Sequence, residues 1–212
     1  NTNAPFWFQL YVMRDQEFMA NLIRRAKDAN CSALILTADL QVLGQRHKDI
    51  KNGLSAPPKP TLANILNLMT KPEWCLNMLG TKSWDDVARI KDQWGGKLII
   101  KGIMEPEDAI LAARSGADAL VVSNHGGRQL DGAPSSIAAL SDIVQAVRAE
   151  NSQIEIWLDS GIRSGQDVLK AIALGANGTM IGRAFLYGLG AYGEDGVRRA
   201  LELIYKECDV SM

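Results

Sequence analysis

Short apolar runs alternate with amphipathic stretches along the whole of this chain, and that alternation leaves few folds open. The runs Trp7–Val12, Ala33–Thr37, Leu98–Lys101, Ala119–Ser123, Ile154–Asp159 and Thr179–Gly182 read as strands. Between them lie helical stripes, such as Phe18, Leu22, Ile23 and Ala26, or Ile137, Leu140, Ile143, Val144 and Val147. Pro106 fits the first turn of a helix, and Ser164 followed by Asp167 fits an N-cap with an acidic third position. Gly116-Ala117-Asp118 and Gly175-Ala176-Asn177 echo each other; each glycine is placed to end a helix before the next strand.

Alternating β and α units predict a parallel sheet with helices outside it. Six units are visible, and eight close a barrel. The competing architecture, an open doubly wound sheet, is disfavoured because no glycine-rich dinucleotide fingerprint opens the first βα turn. The expectation is therefore a single domain over residues 1–212, an α/β (β/α)8 TIM barrel with strands 3 to 8 present. Its first two strands and part of a loop are absent. A strand so soon after Asn1 to Pro5 points to further barrel units upstream. A loop insertion is expected around residues 40–83. It is proline-rich at Pro57, Pro58 and Pro60, with two short helices around Ile65 and Trp74, and reads as a lid or access loop.

Composition narrows the function. A 47% hydrophobic and 22% charged chain with a net charge of −1 has no bulk electrostatic drive toward nucleic acid or anionic lipid. The basic cluster Arg46, His47, Lys48 and Lys51 also reads as a solvated loop. Cys31, Cys75 and Cys208 are far apart and odd in number, which suggests free thiols in a reducing compartment; no metal site is expected. No apolar run approaches the roughly 20 residues of a membrane span, and no signal-peptide pattern opens the sequence.

Side chains alternate along a strand, so Gln9 shares a face with Tyr11, Thr37 with Asp39, Ile99 with Lys101, and Val121 with Ser123 and His125. In each case the polar group follows an apolar run, at the strand's carboxyl end, where barrels of this type assemble their active sites. Asp159 and the pair Gly182-Arg183 complete the rim. Asp159-Ser160-Gly161-Ile162-Arg163 and Gly182-Arg183 combine glycines with arginines where such barrels hold a phosphate. Glycine turns with surface arginines are the plainer alternative.

His125 stands in Ser123-Asn124-His125-Gly126-Gly127-Arg128-Gln129, where the glycines clear space and Arg128 is placed to clamp a carboxylate. A neutral imidazole accepts a proton near neutral pH, and Asp39 is the natural carboxylate to stabilise the imidazolium. His47 lacks such a setting and is read as structural. Lys101, ending an apolar strand, needs an anion or an electron-rich cofactor unless it snorkels to solvent. Asp39 also reads as a loop cap, and Tyr11 as a core aromatic.

Together these motifs resemble the FMN-dependent L-2-hydroxy acid oxidase and dehydrogenase family. The resemblance rests on Phe8-Gln9-Leu10-Tyr11, Thr37-Ala38-Asp39 with Gly44-Gln45-Arg46, and Ile100-Lys101-Gly102. It continues through the His125 motif, Leu158-Asp159-Ser160-Gly161-Ile162-Arg163 and Ile181-Gly182-Arg183, and runs from Phe6 to about Tyr205. The stretch Thr37 to Arg46, with Gly53 to Pro58, looks closest to bacterial respiratory L-lactate dehydrogenases.

The resemblance implies FMN as cofactor and a small L-2-hydroxy acid, foremost L-lactate, as substrate. In that reading His125 takes the proton on or near the α-carbon while two electrons reach the flavin, and Asp39 pairs with His125. Arg128, Arg46 and Tyr11 bind substrate. Gln9, Thr37, Lys101 and Ser123 hold the flavin ring, Lys101 countering charge that builds on reduction. Asp159 binds the ribityl chain, Ser160 belongs to the cofactor-binding set, and Gly161, Arg163, Gly182 and Arg183 bind phosphate.

A quinone or other electron acceptor and a homo-tetramer are implied as partners. The location implied is cytoplasmic, with peripheral attachment to the inner face of a bacterial membrane. A glycolate or longer-chain oxidase using oxygen is an alternative reading, and a non-catalytic flavin- or phosphate-binding module is another. Two departures stand out: the family's amino-terminal substrate tyrosine and first strands are missing, and the step from Gly80-Thr81-Lys82 to Ser83-Trp84-Asp85 is short.

Overall fold

A computed structural model of the chain describes residues 4–40, 44, 50–53, 83–150 and 152–212. The apolar runs form six parallel strands: β1 (Trp7–Tyr11), β2 (Ala33–Thr37), β3 (Lys97–Ile103), β4 (Ala119–Val122), β5 (Glu155–Leu158) and β6 (Gly178–Thr179). The helices are α1 (Gln16–Asp28), α2 (Trp84–Trp94), α3 (Pro106–Arg114), α4 (Ser136–Ala149), α5 (Gly165–Ala173) and α6 (Arg183–Ser211), with a 3-10 turn at His125–Gly127. Most of the expected insertion, including its helices around Ile65 and Trp74, lies outside the described residues, as do Arg46, His47 and Cys75.

Each strand pairs with the next one in the chain, in the order β1-β2-β3-β4-β5-β6. A doubly wound sheet reverses its strand order part-way. A sheet that always steps in one direction, through right-handed crossovers, puts its helices on one face and curls around the other. The six strands are successive strands of a (β/α) barrel. Among the described residues the barrel is not closed, and β1 and β6 are its two edges.

The alternation of side chains divides the core accordingly. Leu10, Leu34, Leu36, Leu98, Ile100, Leu120, Ile156 and Leu158 face the helices and are at most 2% exposed. Each such side chain contributes about 1.5–3 kcal/mol by leaving water. The intervening Ala33, Ile35, Ile99, Ala119 and Val121 form a second cluster inside the curl, with Trp157 and Met180 against it. Strands buried on both faces read as unbroken apolar runs, which is why all five residues of β2 are buried. Trp7 meets Trp157 edge to face, with ring centroids 5.2 Å apart.

Helix ends follow their local signals. Asp15 caps α1 by accepting from the N–H groups of Glu17 and Phe18, and Ser164 with Asp167 forms a reciprocal capping box on α5. Pro106 opens α3 as expected. Within the stripes, Ile23 and Ala26 are buried in α1, but Met19 joins them while Phe18 and Leu22 are only half-buried. In α4, Leu140, Ile143 and Val147 are fully buried, whereas Ile137 in the first turn is exposed. The last strand is shorter than its sequence suggests. β6 ends at Thr179, although Met180 N still donates to Leu158 O, and Gly182 becomes the N-cap of α6. Cys31 and Cys208 are free thiols, and burial pushes the Cys31 thiol up from its ordinary pKa.

One device sets three of the strand registers. Asn30, Gly116 and Gly175 each adopt a positive φ just past a helix end, the position where left-handed geometry is needed. Two residues later Ser32, Asp118 and Asn177 donate their N–H to the carbonyls of Phe6, Leu98 and Ile156 respectively. Asp118 and Asn177 also accept through their side chains, at 2.8 Å, from the N–H groups of Leu98 and Ile156. The sequence echo is thus a repeated clamp between a helix-to-strand turn and the preceding strand.

Asp118 additionally meets the Lys91 ammonium of α2. Burial alone would raise its pKa, but the Lys91 ammonium and the Leu98 N–H together hold it below the ordinary carboxylate range. A carboxyl depressed in the folded state contributes stability above its unfolded value, about 4, and loses it as pH falls through the folded value. Since the pair is partly exposed, Asp118→Asn should destabilise the protein at pH 7 by no more than about 1 kcal/mol. In urea melts the difference should begin to shrink as the pH falls below about 4 and vanish once it is below the depressed folded value.

Candidate active site at the carboxyl rim

The register places the rim residues side by side. Tyr11 pairs with Thr37, Thr37 with Lys101, and Lys101 with Val121, so the inward groups of β1, β2 and β3 lie in one row. Gln9 Nε2 donates to Thr37 Oγ1 at 2.7 Å and to the Tyr11 hydroxyl at 3.2 Å. Thr37 and Ser123 are fully buried, held behind the surface of the site.

Lys101 is 7% exposed. An ammonium in such a place requires partners. Its Nζ donates to Ser123 Oγ at 3.0 Å and forms an ion pair with Asp159 Oδ2 at 3.1 Å. Asp159 Oδ1 in turn accepts from Ser160 Oγ at 2.7 Å. One network therefore spans the carboxyl ends of β3, β4 and β5.

His125 belongs to the turn that follows β4. Its Nδ1 lies 3.1 and 3.2 Å from the two Asp39 carboxylate oxygens, with both side chains largely buried. A carboxylate only accepts, so in the neutral ring that contact keeps the proton on Nδ1 as the donor and leaves Nε2 unprotonated. His125 has φ 58° and Ser160 has φ 71°, left-handed values that are strained for residues with a Cβ. The surroundings hold both. Ser123 Oγ accepts from His125 N, Asn124 Oδ1 accepts from the N–H groups of Gly126 and Gly127, and Ser160 Oγ accepts from Gly126 N.

A cavity of about 590 Å3 opens over this rim, within the range of small-molecule and cofactor sites. His125, Arg128 and Lys101 all line it, together with Gln9, Tyr11 and Asp159. Its far end is formed by Ser160, Gly161, Arg163, Gly182 and Arg183. Asp39 lines a separate cavity of about 260 Å3 and reaches the site through His125. The Arg183 guanidinium donates to Gly126 O at 2.9 Å, tying the glycine-arginine end to the His125 turn. Of the expected residues only Arg46 falls outside the described part of the chain.

The model of the FMN-dependent dehydrogenase family matches residues 1–212. The chain belongs to that family. It is 43% identical to an L-lactate dehydrogenase of Ectopseudomonas mendocina over 99% of this chain and 63% of the relative. A Haemophilus influenzae L-lactate dehydrogenase is 42% identical, over 98% and 62%. Among solved structures, a lactate oxidase of Pediococcus acidilactici superposes with a TM-score of 0.86 at 42% identity, covering 99% of this chain and 56% of that one. A mandelate oxidase gives 0.80 at 40% identity, covering 95% and 57%. The chain thus spans about three-fifths of the length of these relatives. The aligned stretch with the first relative, 243 residues, is longer than this chain, so that relative carries internal residues which are missing here.

The residues fit the group that gives the FMN-dependent dehydrogenase family its name. A Cβ built on Gly161 or Gly182 would meet nothing within 4 Å, so the cavity's arginine end is an open cradle for an anion. At the other end Lys101 brings a buried positive charge to the cavity wall. Met180 and Ile181 line the space with apolar surface suited to a flat ring.

One structural contributor escaped the sequence. Ser136, the first residue of α4, is 1% exposed and donates its hydroxyl to the carbonyls of Asp159 and Ser160, at 2.6 and 2.9 Å. It secures the strained β5 turn from a helix 23 residues earlier in the chain. Nothing local in Ser135-Ser136 distinguishes the second serine.

Two outcomes follow from the Lys101 network. Lys101→Met leaves Asp159 as an uncompensated buried carboxylate and should destabilise the protein by about 3 kcal/mol or more in chemical denaturation. Replacing both partners, Lys101→Met with Asp159→Leu, should recover a substantial part of that loss. Asn124→Ala, which removes the acceptor for two turn N–H groups, should cost about 1 kcal/mol in the same assay.

Proposed function

We propose that the protein binds FMN and oxidises a small L-2-hydroxy acid, with L-lactate going to pyruvate. The single observation that carries this reading is the imidazole of His125, the guanidinium of Arg128 and the ammonium of Lys101 lining one cavity at the carboxyl rim. The relatives named L-lactate dehydrogenase support lactate as the substrate.

Bound FMN would supply the two-electron acceptor that no side chain provides. Lactate gives up two electrons and two protons on becoming pyruvate; the electrons and one proton would pass to the bound acceptor, and the other proton goes to His125. His125 Nε2 receives the proton on or near the α-carbon as the carbonyl forms, and Asp39, held at Nδ1, stabilises the resulting imidazolium. Arg128 binds the substrate carboxylate as a bidentate fork, and the Tyr11 hydroxyl orients the substrate from β1. Arg46 is assigned to assist Arg128. Gln9, Thr37, Lys101 and Ser123 seat the ring, with Lys101 balancing negative charge as it develops. Asp159 and Ser160 face the ribityl chain. Gly161, Arg163, Gly182 and Arg183 take the phosphate at the open cradle.

In this reading the electrons pass on to a quinone or other acceptor. Resemblance to lactate and mandelate oxidases supports a second reading, an oxygen-using oxidase of another 2-hydroxy acid. Reoxidation of the reduced protein by oxygen, compared with a soluble quinone, separates the two.

Anaerobic addition of L-lactate to the FMN-loaded protein should bleach the flavin's visible band, and D-lactate should leave it unchanged. His125→Gln should retain FMN and lose about 10²–10⁴-fold in reduction rate. A flavin that stays oxidised in excess L-lactate, or a His125→Gln protein reduced at the wild-type rate, would overturn the proposal.

A further inference from the structure

Gly102 follows Lys101 in β3, and the ladder between β3 and β4 slips there: Lys101 pairs with Val121, but Ile103 pairs with Val122. Gly102 is the extra residue of a β-bulge, at φ 104°, a region that side-chain-bearing residues avoid. The bulge lets Lys101 turn inward to Asp159 while Ile103 still enters the outer core at 2% exposure. Without the slip, strict alternation would put Ile103 on the inward face beside Lys101.

The bulge also makes contact across to β2. A Cβ built on Gly102 would lie 2.7 Å from both Asp39 Cβ and Cγ, and 2.8 Å from Asp39 N. Real Cβ atoms do not approach that closely, so Asp39 sits where it does because position 102 has no side chain. Asp39 is the group that holds His125 Nδ1 at 3.1 Å. Both Gly102 and Asp39 line the cavity of about 260 Å3, which offers room for the carboxylate to be displaced.

We infer that Gly102 is a positioning residue for the catalytic base: it seats the Asp39 carboxylate against His125, and any side chain at 102 loosens that pair. The inference rests on the reading of His125 as the base. A methyl group at 102 displaces Asp39, the imidazole loses its oriented partner, and reduction slows without loss of substrate or cofactor affinity.

The test combines kinetics with a signal from the ring itself. In FMN-loaded Gly102→Ala, the reduction rate at saturating L-lactate should fall about 10–100-fold, with KM and FMN content within about two-fold of wild type. In an Asp39→Ala background, adding Gly102→Ala should change the rate less than about three-fold, because the group it acts through is gone. The chain has two histidines, so a histidine-labelled sample has two ring systems to resolve. A downfield imidazole N–H resonance that disappears in His125→Gln and Asp39→Asn should also weaken or disappear in Gly102→Ala.

Equal losses from Gly102→Ala in both backgrounds, an unchanged rate, or a retained downfield resonance would overturn the inference. Should Gly102→Ala alone fail to fold, adding Asp39→Gly should restore FMN content by removing both the Cβ and the Cγ that the methyl meets; a double variant still unable to bind FMN would also overturn it. Wild-type protein that L-lactate does not reduce would instead retire the reading of His125 as base, leaving the resonance to report on the Gly102–Asp39–His125 contact by itself.

Discussion

A buried ammonium organises this site. Lys101 sits on the inward face of a curled sheet whose other inward residues are mostly alanine, isoleucine and valine, and a positive charge there is stable only when paired. Ser123 and Asp159 supply the pairing, from β4 and just past the end of β5, and so the carboxyl ends of three strands are bound into one network. The burial that makes the pair expensive is also what would make Lys101 effective in its proposed role, because a charge shielded from water acts strongly on negative charge beside it.

The strained turns lean on that network. The Ser123 hydroxyl that receives Lys101 also receives the N–H of His125, and the Ser160 hydroxyl that bonds Asp159 receives the N–H of Gly126. Two left-handed residues, His125 and Ser160, are thereby joined across neighbouring units of the barrel. A histidine in such a conformation would relax if its turn were free. Here the turn is anchored by side-chain acceptors on both sides, and the imidazole is further fixed by Asp39 at Nδ1. The orientation of Nε2 is built into the backbone, as the role proposed for His125 requires.

The scaffold beneath is made of repeated parts. Clamps at Ser32, Asp118 and Asn177 set the registers between β1 and β2, β3 and β4, and β5 and β6 by the same hydrogen bond. Register is what turns a polar residue at the end of one strand into the neighbour of a polar residue on the next. The structural relatives, at 40–42% identity, share this framework across nearly all of the chain.

Much of this was legible in the residues alone, because two periodicities carry it. The period of two along a strand decided that Gln9 and Tyr11, Thr37, Lys101, and Ser123 would face one side, and the repeated βα order determined the sheet type and the rim on which they gather. The limits of that reasoning are equally physical. The bulge at Gly102 breaks the alternation that sequence patterning assumes, and a glycine in a strand does not announce which neighbour its missing side chain accommodates. Ser136 meets Asp159 and Ser160 only because α4 packs beside the end of β5. Local sequence determined which residues were polar and which way they pointed; the tertiary structure decided which of them touch, since contacts between units depend on register and packing, and neither is encoded in any single segment.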